Sequence, residues 1–320
     1  MKKKMIQVLG PTGVGKSTVA VKLAKKIGGE IISADSMQVY KDFNIGTAKI
    51  NKKEKQNIPH YLIDVYSDCS QFNASIFLQK SFEISEAIIR RGNIPIVCGG
   101  SALYLRSMIR GIFSEKAEKR ISRDKLNRIV DSRGILYLWN RLNRVDPQYA
   151  QKIGKNDRIR IIRAMEIYYN NGIPPSEIFK QTQTPFFDYT FIRIGLNIER
   201  EELYKRIENR VDRMIENNLL EEVKQLRKKY PSHCPPFTSL GYKEMIMYLD
   251  NDICFEEAVA LIKQHSRNFA KRQLSWFRQE SDIHWFSPLD FDKIVAFVKK
   301  ECEAHEDNKK ICDHRHAVEY

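Results

Sequence analysis

The sequence predicts an α/β fold: a parallel-sheet core that carries a phosphate loop, with flanking helices and an inserted all-helical domain. Three observations lead there. Residues Gly10–Ser17 read GPTGVGKS, a complete GxxxxGK[ST] motif that directly follows the apolar run MIQVL and opens a helical pattern. Short β-rich runs then alternate with amphipathic helical patterns through the N-terminal third, the signature of parallel strands with crossover helices. Finally, residues 116–180 change to successive helical patterns before a further strand-like run returns at 191–198.

Residues 5–9 are the first strand, and the following helix has an apolar stripe at Val19, Ala20, Leu23, Ala24 and Ile27 that stops at Gly28-Gly29. EIISAD at 30–35 is the second strand, with YLIDV at 61–65 and IPIVCGG at 94–100 as further strands and a helix at 74–91 between them. FIRIGLNI at 191–198 completes the set. The core is thus drawn from 1–115 and 181–300, and the helical insertion from 116–180, punctuated by Gly134, Pro147, Gly154 and Gly172. The chain after 199 reads as mostly helical, and residues 301–320 form a charged tail expected to be poorly ordered.

Charge narrows the class of partner. Lys+Arg total 54 against 40 Asp+Glu, a formal +14, and the insertion alone holds 15 against 7. Such an excess favours a polyanion through counterion release, which makes nucleic acid a candidate partner, with a lysine-rich proteome or a solvated basic surface as an equal alternative. No apolar run is long enough to span a bilayer. The start MKKKMIQVLG runs straight into the phosphate loop, so no targeting peptide is expected. Six scattered cysteines without a CxxC pair fit a reducing cytoplasm best.

The loop supplies the chemistry. Backbone N–H groups around Gly13 and Gly15 can converge on phosphate oxygens, Lys16 adds a mobile positive charge, and Ser17 can ligate Mg²⁺ at a helix N-terminus. Gly10, Pro11, Thr12 and Val14 complete the cradle. Asp35 ends the second strand, and open α/β sheets bind ligands in the crevice at the carboxyl ends of their strands. A carboxylate there can bind Mg²⁺, recognise a hydroxyl or take a proton from an attacking group, and can equally cap a helix over SMQVY. These residues alone suggest a small-molecule or nucleotide kinase, although Gln38, Tyr40 and Thr47 add polar and stacking groups suited to a base.

Seven segments in order carry a resemblance: GPTGVGKS, DSMQVYKDFNIGTAK, IPHYLIDV, VCGGSALYLRSM, NDRIRIIRAMEIY, SLGYKEM and KRQLSWFR, spanning residues 10–278. The chain resembles the tRNA dimethylallyltransferase (isopentenyltransferase) family. The resemblance implies that the loop holds dimethylallyl diphosphate rather than ATP, that Mg²⁺ assists at Ser17, and that the acceptor is the adenosine 3′ of the anticodon in a tRNA anticodon stem-loop. It implies Asp35 at the amine proton, with Lys16, Thr12 and an arginine of the 203–214 segment against the diphosphate. Arg206, Arg210 and Arg213 remain alternatives for that arginine, set against a solvated helix face paired with Glu202 or Glu208.

It further implies tRNA contacts at Asp35, Ser36, Met37 and Gln38, at Thr47, Ser101 and Arg123, at Arg160 and Arg163, and at Lys271, Arg272 and Arg278, with Arg267 and Trp276 beside the last group. Ser101 stands where the family usually has Thr, and Ile159 replaces a Gln of some members. Cys302, His305, Cys312, His314 and His316 match no usual zinc spacing, and a metal site there is discounted. A cytoplasmic monomer is expected. The nearest rival chemistry, transfer to free adenylate, has no need of so basic an insertion, and an RNA-binding adaptor without catalysis is a third reading.

Overall fold

The computed structural model describes residues 2–113 and 121–316, with side chains described as far as residue 303. The described chain divides into two compact units. One comprises Met1–Met108 and Phe186–Tyr320, the other Ile109–Pro185, which contains the expected insertion.

The larger unit is built on six strands: β1 (Lys3–Leu9), β2 (Gly29–Ala34), β3 (His60–Tyr61), β4 (Ile94–Gly99), β5 (Tyr189–Leu196) and β6 (His284–Phe286). Their order is β3-β2-β4-β1-β5-β6, and every pairing is parallel, as in Ile6 opposite Ile96 and Ile192. Met5, Ile6, Val8, Leu9, Ile96, Val97 and Ile194 are fully buried. Near-continuous apolar strands are what a sheet covered on both faces requires. Among the helices of the first half, α1 (Lys16–Ile27) follows the phosphate loop, α2 (Lys52–Lys55) is a single turn, and α3 (Ala74–Arg90) and α4 (Ala102–Arg110) flank β4 in sequence. Val19, Ala20, Leu23 and Ala24 of α1 join Ile6, Val8 and Ile194 in one core cluster. Each large aliphatic side chain buried this way contributes about 1.5–3 kcal/mol.

The third strand is shorter than the YLIDV pattern suggests. Leu62 and Asp64 have φ of 60° and 58°, incompatible with extended pairing. The backbone N–H groups of Asp64 and Val65 instead donate to the carbonyls of Gln38 and Val39.

The second unit contains α5 (Arg123–Arg133), α6 (Ile135–Val145), α7 (Pro147–Lys152), α8 (Arg158–Asn171) and α9 (Pro175–Lys180). Its own core includes Leu126, Leu138, Leu142, Ile161 and Met165. Gly172, with φ of 73°, caps α8 in the left-handed conformation.

The larger unit ends with α10 (Arg200–Glu216), α11 (Leu219–Lys229), α12 (Tyr242–Leu249), α13 (Phe255–Phe277) and α14 (Phe291–His316). The backbone of α14 runs through most of the expected tail. Of the tail's cysteine and histidine side chains, all but Cys302 lie outside the described residues. Cys69 and Cys234, 165 positions apart, are joined as a disulfide. This pairing removes the support that scattered cysteines lent to a reducing compartment, where disulfides are rare. No helix among the described residues is long and apolar enough to cross a membrane.

Candidate active site

The phosphate loop leaves the carboxyl end of β1 and turns into α1. Gly13 has φ of 80° and packs so closely on α10 that a Cβ would lie 2.9 Å from Ile207 Cγ1, so glycine is required there on two grounds. Gly15 caps α1 with no side-chain acceptor, and the first turn has no acidic residue. A helix N-terminus of this composition is suited to an anion. Lys16 Nζ donates to the Pro11 carbonyl at 2.7 Å. Burial pushes its ammonium down to about 8, with Cys98 and Asp35 opposing the fall and Arg210 adding to it.

Across the switch in strand order, Asp35 follows the last residue of β2. Its Oδ1 accepts from the backbone N–H of Met37 at 2.8 Å and of Gln38 at 3.3 Å. The carboxylate therefore closes a local turn, and no helix begins at SMQVY. Gln38 Nε2 donates to the Thr47 carbonyl at 3.3 Å. The Thr47 hydroxyl donates within its own turn, to the carbonyls of Phe43 and Asn44.

Both halves line one cavity of about 490 Å³. Thr12, Lys16, Ser17 and Arg210 stand at the loop, Asp35, Ser36, Met37 and Gln38 follow β2, and Ser101 precedes α4. Thr47 and Arg272 also contribute, and Ile207, Val211, Met214, Ile262 and Phe269 supply an apolar wall. A charged end joined to an apolar wall suits a ligand that is itself charged at one end and hydrocarbon at the other.

The three candidate arginines separate in space. Arg210 Nη1 donates to Thr12 Oγ1 at 2.9 Å, and burial lowers its pKa against the pull of Asp35. Arg206 pairs with Glu202 at 2.7 Å and does not line the cavity, nor does the exposed Arg213. Spacing alone put Arg206 and Arg210 on one face; packing of α10 gives only Arg210 to the loop.

Residues 38–280 match the family model described as IPP transferase. A tRNA dimethylallyltransferase of Halothermothrix orenii is 44% identical over 92% of both chains, and one of Carboxydothermus hydrogenoformans is 43% identical over 89% of this chain and 92% of its own. The chain belongs to the IPP transferase family. Among solved structures, the full-length tRNA isopentenylpyrophosphate transferase of Bacillus halodurans superposes with a TM-score of 0.71 at 36% identity, covering 98% of this chain and 100% of that one. A eukaryotic dimethylallyltransferase crystallised in a study of its action on tRNA gives 0.78 at 33% identity, covering 97% and 80%.

In this IPP transferase, α13 differs in detail from its sequence reading. Lys271, Arg272 and Arg278 are exposed, and Arg272 reaches the cavity beside Phe269. Arg267 is held by Glu208 at 2.6 Å. The half-buried Trp276 carries the Arg106 guanidinium over its ring, 3.6 Å from the centroid. Gln273 was not anticipated. It is buried between Ala270 and Phe277 on the core face of α13, accepts from Thr12 N at 2.8 Å and donates to the Gly100 carbonyl at 2.9 Å. The only sequence signal was a polar residue on an otherwise apolar helical stripe.

In the helical unit, Arg123 and Arg163 converge on the buried carboxylate of Glu166 at 2.9 and 2.7 Å. Burial alone would raise Glu166, but Arg163 and Arg123 together hold it below the usual carboxylate range. Arg160 pairs with Asp157 at 3.2 Å and stays exposed, next to the 82% exposed Ile159.

Proposed function

We infer that the chain transfers a dimethylallyl group from dimethylallyl diphosphate to the exocyclic amine of the adenosine 3′-adjacent to the tRNA anticodon, releasing pyrophosphate. The observation that carries this reading is the sharing of one cavity by the phosphate loop, the Thr12–Arg210 pair and the Asp35–Gln38 segment. The named relatives at 44% and 43% identity support it.

The amine attacks the allylic C1 of the donor, the C1–O bond breaks, and pyrophosphate leaves with the bonding electrons. Its growing charge meets Lys16, Arg210 and the amides at the start of α1, which need little reorganisation because the loop and α10 already hold them. Asp35 takes the amine proton. An adenine amine is a weak nucleophile, so both ends of the displacement need help. The apolar wall of Val211, Met214 and Ile262 suits the dimethylallyl chain and keeps water from it.

Ser17 offers one hydroxyl at the start of α1, and no cluster of three or more His, Cys, Asp or Glu suited to a metal occurs among the described residues. A small hard cation that takes one protein oxygen, the donor's phosphate oxygens and water fits that donor set, which is the habit of Mg²⁺. When bound, the ion neutralises charge on the departing pyrophosphate. The protein is read as a cytoplasmic monomer. In a reducing cytoplasm Cys69 and Cys234 would stand as adjacent thiols.

Incubation with labelled dimethylallyl diphosphate and unmodified tRNA tests the reading. Label in tRNA is expected; label on free adenylate, or ADP formed from ATP and a small acceptor, would overturn it.

A further inference from the structure

The turn that carries Thr47 is held from outside the cavity by one carboxylate. Glu222 of α11 accepts backbone N–H groups from three successive residues: Asn44 at 3.1 Å, Ile45 at 2.9 and 3.0 Å, and Gly46 at 3.2 Å. The Tyr242 phenol donates to the same carboxylate at 2.6 Å. Successive amides of this kind form a concave nest for an anion, here filled by the protein's own side chain. Hydrogen bonds to an ionised acceptor are also the stronger kind. Gly46 lies against the Tyr242 ring with no room for a Cβ, so the tyrosine fixes the turn by packing as well.

The path from this turn to the cavity is short. The Thr47 carbonyl can only accept, so the Gln38 amide must present its Nε2 to it, as it does at 3.3 Å. Gln38 lines the cavity beside Asp35, and with its nitrogen committed to the turn its oxygen is the group left for a donor on a base. An exocyclic adenine amine is such a donor. Were the turn to shift, the amide could rotate and offer a donor instead, which repels that amine.

We propose, on the basis of the transferase reading, that Glu222 is a positioning residue for the acceptor base: by clamping the 44–46 amides it sets the Gln38 amide beside Asp35. Glu222 does not itself line the cavity. The phosphate-loop end has its own supports, with Thr12 held by Arg210 and Gln273 and Lys16 by Pro11. Loss of the clamp therefore acts on transfer to the acceptor and not on binding of the diphosphate.

The test is single-turnover transfer from labelled dimethylallyl diphosphate to an unmodified anticodon stem-loop RNA at saturating concentrations, with pyrophosphate affinity measured by calorimetry on the same proteins. The series is wild type, Glu222→Ala, Glu222→Gln and Tyr242→Phe. Glu222→Ala should slow transfer by about 10- to 100-fold, the scale of a small misplacement of a reacting group. Glu222→Gln, which keeps an accepting oxygen, should recover part of the rate, and Tyr242→Phe should lose less than the alanine variant. Pyrophosphate affinity should stay within about twofold throughout. Tyr242→Phe keeps the ring and the carboxylate, so it reports even if Glu222→Ala does not fold. Wild-type rates in the variants, or an equal fall in rate and pyrophosphate affinity, would overturn the role of Glu222 alone. A wild-type protein that binds pyrophosphate but transfers nothing to RNA would overturn the transferase reading and this role with it.

Discussion

Arg210 donates to the Thr12 hydroxyl at 2.9 Å and so ties the middle of α10 to the phosphate loop. A cation that is partly desolvated and already aimed at the loop stabilises charge gained by a leaving group more than charge present beforehand. Arg210→Ala should therefore lower the single-turnover rate by about 10²- to 10³-fold. Arg206→Ala removes only an exposed pair with Glu202 and should stay within about twofold. Rapid-quench measurement of both variants, with donor and RNA saturating, compares the two directly.

The Lys16 ammonium carries a pH dependence. Its pKa is lowered to about 8 by burial, so the free protein holds it charged below that value and neutral above. Diphosphate binds the charged form better, and affinity for pyrophosphate should fall as pH rises through about 8. Bound diphosphate stabilises the ammonium in return, so the corresponding fall in the rate of the bound complex should lie at higher pH. For stability the sign is opposite. The unfolded chain retains the proton up to about 10.4, so over this interval it binds more protons than the native state. Lys16 thus weakens the fold most below about 8, and that cost is relieved as pH climbs towards the unfolded value. Calorimetric titration with pyrophosphate across this range checks the binding half.

Asp35 closes the turn to Met37 and Gln38, and in the proposed transfer it also takes the amine proton. Asp35→Asn keeps an oxygen for the turn but is no base. It should retain RNA affinity while the chemical step falls by about 10²- to 10⁴-fold, the usual range for general-base loss. Single-turnover rates beside RNA titrations separate these effects, and a normal rate would remove Asp35 from the reaction.

In the helical unit, replacing Arg160 and Arg163 together by alanine should weaken tRNA binding and flatten its dependence on salt by about one to two phosphate equivalents. Arg163 shares Glu166 with Arg123, so the double variant also leaves that buried carboxylate with one arginine fewer. Melting curves run alongside distinguish weakened binding from a weakened unit. An unchanged salt slope would locate the RNA phosphates elsewhere.

The sheet was legible because each buried strand is a compact apolar run and the phosphate loop marks one strand end and one helix start within eight residues. Asp35 was legible by position, at the end of β2. What the sequence hid was decided by contacts distant along the chain. YLIDV is a short β-rich run like a strand, but Leu62 and Asp64 adopt positive φ and the backbone of Asp64 and Val65 pairs with the carbonyls of Gln38 and Val39. Arg206 and Arg210 share a helical face, and the packing of α10 against Gly13 separates their positions, Arg210 at Thr12 and Arg206 at Glu202. The contact of Trp276 with Arg106, which comes from another helix, has no local signal in the sequence either. In sequence Glu222 is one more charge on an amphipathic helix, and nothing local announces that its partners are amides about 180 residues earlier.

The measurement that bears most directly on the central claim is mass analysis of unmodified tRNA after reaction with dimethylallyl diphosphate, Mg²⁺ and the full-length protein, followed by digestion to nucleosides. A loop that stabilises a departing pyrophosphate predicts one dimethylallyl group on the adenosine 3′ of the anticodon and pyrophosphate released in equal amount. Unaltered tRNA, together with ATP converted to ADP on a small acceptor, would contradict it.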